Sequence, residues 1–205
     1  VMVPDRAQGE FLLFCRERDA EAETWHGRRA GLDGACEYYG ADDAFPISDL
    51  DDILPGLLEN KDRIYYTMGR YLEFDQRLVG WVTRVTDKGR AGVHAPDQFV
   101  SLGHVMHESR LFKSQQEIKT MRRAASISAD AHRHVMSVCR PGMYEYQIEA
   151  ELLHAFMLQG ARSPAYPSIV GGGANSCILH YVENQDQLKE GDLLLIDAGA
   201  EYDCY

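Results

Sequence analysis

Positive charge is scarce in this sequence. Lysine and arginine number 21 against 32 aspartates and glutamates, a formal net charge of −11 over 205 residues. Non-specific nucleic-acid binding needs a basic surface, so nucleic-acid partners are set aside. An acidic surface suits a solvated protein and favours cations. Paired cysteines are lacking too. Cys15, Cys36, Cys139, Cys177 and Cys204 are odd in number and include no C-x-x-C, which suggests neither a disulfide framework nor a zinc knuckle. A reducing compartment, the cytoplasm, is the expectation. No apolar run reaches membrane-spanning length, and no secretory leader is visible, so no membrane partner is expected. A phosphate loop is missing as well. Gly171-Gly172-Gly173 is not followed by G-K-[ST] and reads as a turn that lets a strand cross close to a site, with Asn175 fixing it.

What is present is an alternation of strands and helices, which implies an α/β layer in the first half. Glu10 to Cys15 reads as a buried strand, Arg16 to Glu23 as a charged hairpin or loop, and Ala44 to Ile47 as extended. Ser48 can cap a helix from Asp49 to Leu58, with acids in its first turn. Arg63 to Met68 reads as a strand. Tyr71 to Val85 reads as a helix with Leu72, Leu78, Val82 and Val85 at helical spacing, and Phe99 to Val105 as extended. His104, His107 and Glu108 form H-x-x-H-E, but their neighbours read as strand and loop, and two chelating histidines need a helix at i, i+4. In the second half, Ser114 and Glu117 form a capping box for a helix running to about Cys139. Its expected buried stripe is Ile118, Met121, Ala125, Ser128, Ala131 and Val135. Pro141-Gly142 breaks the helix, and a second helix spans Tyr144 to Gln159 with Ile148, Leu152, Leu153 and Phe156 inward.

The last forty residues concentrate the chemistry. Cys177-Ile178-Leu179 runs into His180, and Leu193 to Ile196 runs into Asp197-Ala198-Gly199. An LLLI run reads as buried on both faces, and an acid at its end must be solvated, hydrogen-bonded or bound to a metal. Read alone, Asp197 is also consistent with a strand-end acid capping a turn, and His180 with a core histidine bonded to backbone. Cys177 reads as a small buried residue.

IVGGGANSCILHY followed by GDLLLIDAGAEY, together with HESRLFKSQQEI, CRPGMYEYQIE and WHGRRAG, resembles the metallopeptidase family that includes aminopeptidase P, prolidase, methionine aminopeptidase and creatinase, and aminopeptidase P most of all. The resemblance implies an α/β creatinase-type N-terminal domain over residues 1–110, then the first part of an α+β pita-bread domain over residues 111–205. It implies an Xaa-Pro aminopeptidase acting on peptides with proline at the second position. Prolidase is the alternative enzyme, and a non-catalytic pita-bread module that has lost its metals is the alternative from another class.

The same resemblance implies two divalent metal ions, with manganese expected, held by two Asp, one His and two Glu. Hydrolysis of an amide near neutral pH needs a strong nucleophile, which metals provide by lowering the pKa of the water they bind. Hard ions favour carboxylate oxygen and imidazole over thiolate. Asp197 matches the first metal ligand, and the others are expected beyond Tyr205. The chain is accordingly expected to lack both its natural start and the rest of the catalytic domain, and to be inactive as a piece. His180 matches a catalytic, substrate-binding position that holds the scissile carbonyl or stabilises the tetrahedral intermediate. Tyr166 either lines the substrate pocket or packs. Trp25 either packs with Arg28 and Arg29 on its own domain or contacts substrate from a neighbouring subunit, because this family forms homo-oligomers (dimers or tetramers).

Overall fold

Strands separated by a dozen or more residues can lie parallel only if a crossover, usually a helix, returns the chain, and the first half of this protein is built from two such returns. The computed structural model describes residues 1–3 and 9–205, and its contacts divide it into two units, Val1–Ser109 and Arg110–Tyr205. In the first unit β1 (Met2–Val3) pairs antiparallel with β2 (Glu10–Cys15). Helices α1 (Ala20–His26) and α2 (Gly31–Tyr39) then bring β3 (Asp43–Pro46) parallel to β2, with Leu12 opposite Asp43. After α3 (Leu50–Leu58), β4 (Arg63–Tyr65) is followed by α4 (Leu72–Thr86) and by β5 (Gln98–Val100), parallel to β4.

Leu50, Leu54 and Leu58 of α3 bury against Leu78, Trp81 and Val85 of α4. Each such side chain contributes about 1.5–3 kcal/mol when fully removed from water. Trp81 occupies this core, whereas Leu72, expected to face inward, is exposed at the first turn of α4. Its amphipathic indole tolerates burial because the ring N–H donates to Asp51 Oδ1 at 2.8 Å.

Three local expectations fail here for identifiable reasons. The charged stretch Arg16–Glu23 is not all loop, because Asp19 accepts the Ala22 N–H at 2.9 Å and starts α1. Ser48 does not cap α3. It lies inside a 3-10 turn, Ile47–Asp49, and its hydroxyl donates to Asp49 Oδ1 instead; a capping residue needs non-helical backbone. The extended reading of Phe99–Val105 holds only as far as Val100, since α5 (Leu102–Leu111) begins immediately after β5.

The second unit is led by two packed helices, α6 (Gln115–Val138) and α7 (Glu145–Leu158). The buried stripe of α6 is Ala124, Ile127, Ala131 and Val135, and the last three meet Ile148, Leu152 and Phe156 of α7. It is rotated from the expected stripe: Met121 and Ala125 are exposed, and Ile118 is half-buried. The helix turns two alanines, an isoleucine and a valine inward, a choice that apolar spacing alone did not resolve. Strand pairs complete the unit: β6 (Ser163–Pro164) with β9 (Ala200–Glu201), and β7 (Ile169–Gly172) with β8 (Leu194–Asp197), both antiparallel.

The capping box at the start of α6 is formed. Ser114 Oγ accepts the Glu117 N–H at 3.2 Å, and Glu117 Oε2 accepts the Ser114 N–H at 2.6 Å. Tyr205 donates its hydroxyl to the other Glu117 oxygen at 2.6 Å. The Tyr205 bond first, then the Ser114 backbone bond, push the Glu117 carboxyl down from 4.5 to about 2. A depressed carboxylate stabilises the fold fully above its ordinary value, and that stability is lost as pH falls through about 2. The expected outcome is that Glu117→Gln flattens the acid limb of a pH-stability curve measured by denaturant unfolding; an unchanged limb would show that this cap does not set it.

Candidate active site

Register places the acid of the second unit. In the β7–β8 pair Ile169 lies opposite Asp197 and Gly172 opposite Leu194. Side chains alternate across a strand. Leu194 and Ile196 therefore pack against the helical core, while Leu193, Leu195 and Asp197 share the other, exposed face. The LLLI run is thus buried on one face, not two; among the described residues β8 has one strand neighbour and one helical layer beneath it, and Leu193 is 80% exposed.

Tyr166, just ahead of β7, donates its hydroxyl to Asp197 Oδ1 at 2.6 Å. That bond, followed by partial burial, raises the Tyr166 phenol above its ordinary value of 10.0, so it stays a donor through the neutral range. Its ring also lies 3.6 Å from where a Cβ on Gly199 would sit. The space beside Gly199 is therefore occupied by Tyr166 and is not an open approach.

His180 lies in a turn, and its imidazole is exposed. The apolar residues before it do not form a core strand. Gly173–Cys177 winds as a 3-10 turn, Cys177 and Ile178 are exposed, and Leu179 is 89% exposed. Among the described residues this run pairs with no strand and bends instead, which overturns the core-histidine reading of His180 and the buried reading of Cys177. Of the four residues singled out from sequence, hydrogen bonding joins Tyr166 to Asp197. Trp25 belongs to the first unit, on the surface of α1, and is 78% exposed, so it is not packed into its own domain.

One residue escaped sequence reasoning. Glu145, in the first turn of α7, is 0% exposed. Its Oε1 accepts the Gly172 N–H at 2.7 Å and the Asn175 amide at 3.1 Å. Its Oε2 accepts the Tyr181 hydroxyl at 2.7 Å and the Asp186 N–H at 2.9 Å. Burial pushes its carboxyl up, but these bonds outweigh burial and hold it below the ordinary value of 4.5. Nothing in the sequence distinguishes it from a surface acid favoured by the helix dipole. Asn175 does fix the glycine turn as expected, though through side chains, reaching Glu145, Tyr181 Oη and Asp186. Asn184, 1% exposed, is a second anchor: it accepts the Val170 N–H and donates to the Ser168 carbonyl and to Glu149, each at 2.9 Å.

Among the described residues no group of three or more His, Cys, Asp or Glu side chains could hold a metal ion. His104, His107 and Glu108 do lie on a helix, contrary to the extended reading, yet form no such group. Asp197 offers a carboxylate to a cation, but a complete metal site would need ligands beyond this set.

Residues 1–65 match the family model for the aminopeptidase P N-terminal domain, and residues 119–205 match that of metallopeptidase family M24. The second unit is thus similar to metallopeptidase family M24. The Xaa-Pro aminopeptidase of Escherichia coli is 44% identical over 98% of this chain and 46% of its own length. A human Xaa-Pro dipeptidase is 31% identical over 99% of this chain and 41% of its own length. The solved structure of Pseudomonas aeruginosa aminopeptidase PepP is similar at TM-score 0.91 and 55% identity, over 98% of this chain and 46% of that one. The chain spans about half the length of the curated relatives it matches. Its fold is an aminopeptidase P N-terminal domain followed by part of the pita-bread M24 domain.

In the second unit the glycine turn is shaped by close approach. A Cβ on Gly171 would stand 2.9 Å from the Asn175 carbonyl carbon and oxygen, which are backbone and cannot swing aside. A Cβ on Gly199 would make ordinary contact with Tyr166. Gly171→Ala is therefore expected to lower unfolding free energy by about 1–3 kcal/mol, and Gly199→Ala to change it by less than about 0.5 kcal/mol. Equal effects in denaturant titrations would contradict the packing described.

Proposed function

We propose that the protein is a metal-dependent Xaa-Pro aminopeptidase, releasing an N-terminal residue linked to proline. The observation that carries this reading is the exposed strand-end carboxylate of Asp197, oriented by Tyr166, in a chain whose relatives bear that name. The domains of the reading are residues 1–110, creatinase-type, and residues 111–205, the first part of the pita-bread domain.

Family M24 is a metallopeptidase family, and the reading includes two divalent ions, with manganese expected and Asp197 as one ligand. A carboxylate oxygen suits a hard cation, and the Tyr166 bond leaves Asp197 with unused acceptor sites. Such ions, when bound, supply the Lewis acidity that amide hydrolysis needs. Tyr166 fixes the Asp197 carboxylate and lines the substrate pocket. His180 presents an imidazole donor to the scissile carbonyl or the tetrahedral intermediate; a positioned donor of this kind contributes about 3 kcal/mol. Trp25 contacts peptide substrate within a homo-oligomer, a dimer or tetramer. A cytoplasmic location is supported by five free cysteines, and among the described residues no helix is long and apolar enough to cross a membrane. The similarity to an Xaa-Pro dipeptidase supports a second reading, dipeptide-only hydrolysis.

The test is release of the first residue from X-Pro tripeptides and X-Pro dipeptides by the full-length protein with manganese. Tripeptide cleavage is expected. Cleavage of dipeptides alone would favour prolidase, and cleavage of neither a non-catalytic module. Asp197→Ala is expected to lower turnover at least about 100-fold and to deplete bound metal; two metals retained per chain would remove its role. His180→Ala is expected to lower kcat about 100-fold with metal content intact, and an unchanged kcat would remove that assignment.

A further inference from the structure

A buried carboxylate is costly unless its acceptor sites are filled, so the donors that fill them show what it holds in place. The four donors to Glu145 are Gly172 N–H, the Asn175 amide, Tyr181 Oη–H and Asp186 N–H. None belongs to α6 or to the remainder of α7. All come from the single segment 172–186, and they bracket His180: Asn175 precedes it, Tyr181 follows it directly, and Asp186 closes the loop. The bracket is reinforced from the main chain. The Glu145 N–H donates to the Asp186 carbonyl at 3.0 Å, and Leu188 N–H to the Met143 carbonyl at 2.8 Å. Gly172, the first of the four donors, also sits opposite Leu194 in β8, the strand that ends in Asp197.

We propose that Glu145 is the positioning residue of the active site, fixing the backbone on both sides of His180 and the end of the strand against which Asp197 is registered. This rests on the reading of His180 given above. His180 makes no hydrogen bond of its own among the described residues, so its place is set by its neighbours in the chain, and those neighbours are held by one carboxylate. The demand is for a carboxylate in particular. It is acceptor-only, with about four lone-pair sites for four donors. Glutamine would turn an NH2 group toward either Gly172 N–H and the Asn175 amide or Asp186 N–H and the Tyr181 hydroxyl, leaving at least one buried N–H facing another. Tyr181 extends the device. Its ring is buried, 7% exposed, and its hydroxyl accepts from Asn175 at 3.0 Å while donating to Glu145. The residue next to His180 is thereby tied to both the turn before it and the helix beneath it.

The experiment uses the full-length protein with manganese and an X-Pro tripeptide. Tyr181→Phe keeps the buried ring and removes only the hydroxyl; Glu145→Gln keeps the shape and removes the charge. Each is measured alone and with His180→Ala, for kcat, KM and metal content. Misplacing a catalytic group slightly costs rate more than binding. Tyr181→Phe is expected to lower kcat about 10-fold with KM within about threefold and metal content unchanged. In the His180→Ala background the same change should cost less than about twofold, because the positioned group is gone. Glu145→Gln is expected to follow the same pattern with a larger loss, and where that variant does not fold, Tyr181→Phe decides. An unaltered kcat for Tyr181→Phe in an active wild type, or equal fold-losses with and without His180, overturns this inference alone. A wild type that releases nothing from the peptide overturns the functional reading and this inference with it.

Discussion

The second unit depends on one buried anion. Glu145 sits at 0% exposure at the start of α7, and four hydrogen bonds converge on its two oxygens. An ionised carboxylate in that setting would cost many kcal/mol unpaired; saturated, it is held below its ordinary pKa. The same bonds connect three pieces of chain that share no regular secondary structure: the end of β7, the 3-10 turn at Gly173–Cys177, and the loop through Asp186. Sheet and helix ladders cannot specify irregular backbone, and side-chain networks can. Asn184 repeats the arrangement on a smaller scale, with a positive φ of 48° and bonds to Ser168, Val170 and Glu149. Loop geometry around His180 is therefore set from below, by polar groups anchored in or against α7.

Asp197 is placed by a different means. Strand register with Ile169 sets its backbone, alternation sets its face, and the Tyr166 hydroxyl sets its carboxylate. The apolar partners Leu194 and Ile196 pin the opposite face to the α6–α7 core. Two side chains of the proposed chemistry thus rest on the same helix pair through separate routes, one apolar and periodic, the other polar and irregular. A change in α7 packing would reach both, whereas a change in the glycine turn would reach His180 first.

This difference explains what the sequence revealed. Periodic features were legible: β2, α4, α6 with its capping box, and α7 all follow from spacing and caps that act locally. The motif around Asp197 was legible because a strand-end acid is specified by a few adjacent residues. Tyr166 could be named as a candidate but its partner could not, since the bond spans 31 residues. Glu145 was not legible at all. Its donors lie 27 to 41 residues away, and in isolation it matches the commonplace acid of a first helical turn. The run Cys177–Leu179 failed in the opposite direction: its apolar composition pointed to burial of Cys177, but among the described residues the run pairs with no strand and Leu179 is left in solvent. Helix α5 failed because three residues of strand at Gln98–Val100 give way at once to helix, a switch shorter than any periodicity can register.

The contrast between the two carboxylates also assigns them to different tasks. A carboxylate binds a cation only with acceptor sites to spare. Every site of Glu145 is filled by the protein's own N–H and O–H groups, and it has no path to solvent, so it can organise backbone but not take a metal ion. Asp197 is exposed and, among the described residues, its carboxylate accepts one hydrogen bond, at Oδ1. In a chain of net charge −11, attraction for cations is general, and what selects a binding carboxylate is unsatisfied valence at a fixed position. Tyr166 supplies the fixing without consuming the capacity. Adding an N–H donor on the other oxygen would hold Asp197 more firmly and at the same time fill the site proposed for a cation, so a single phenolic donor leaves the acid both positioned and free.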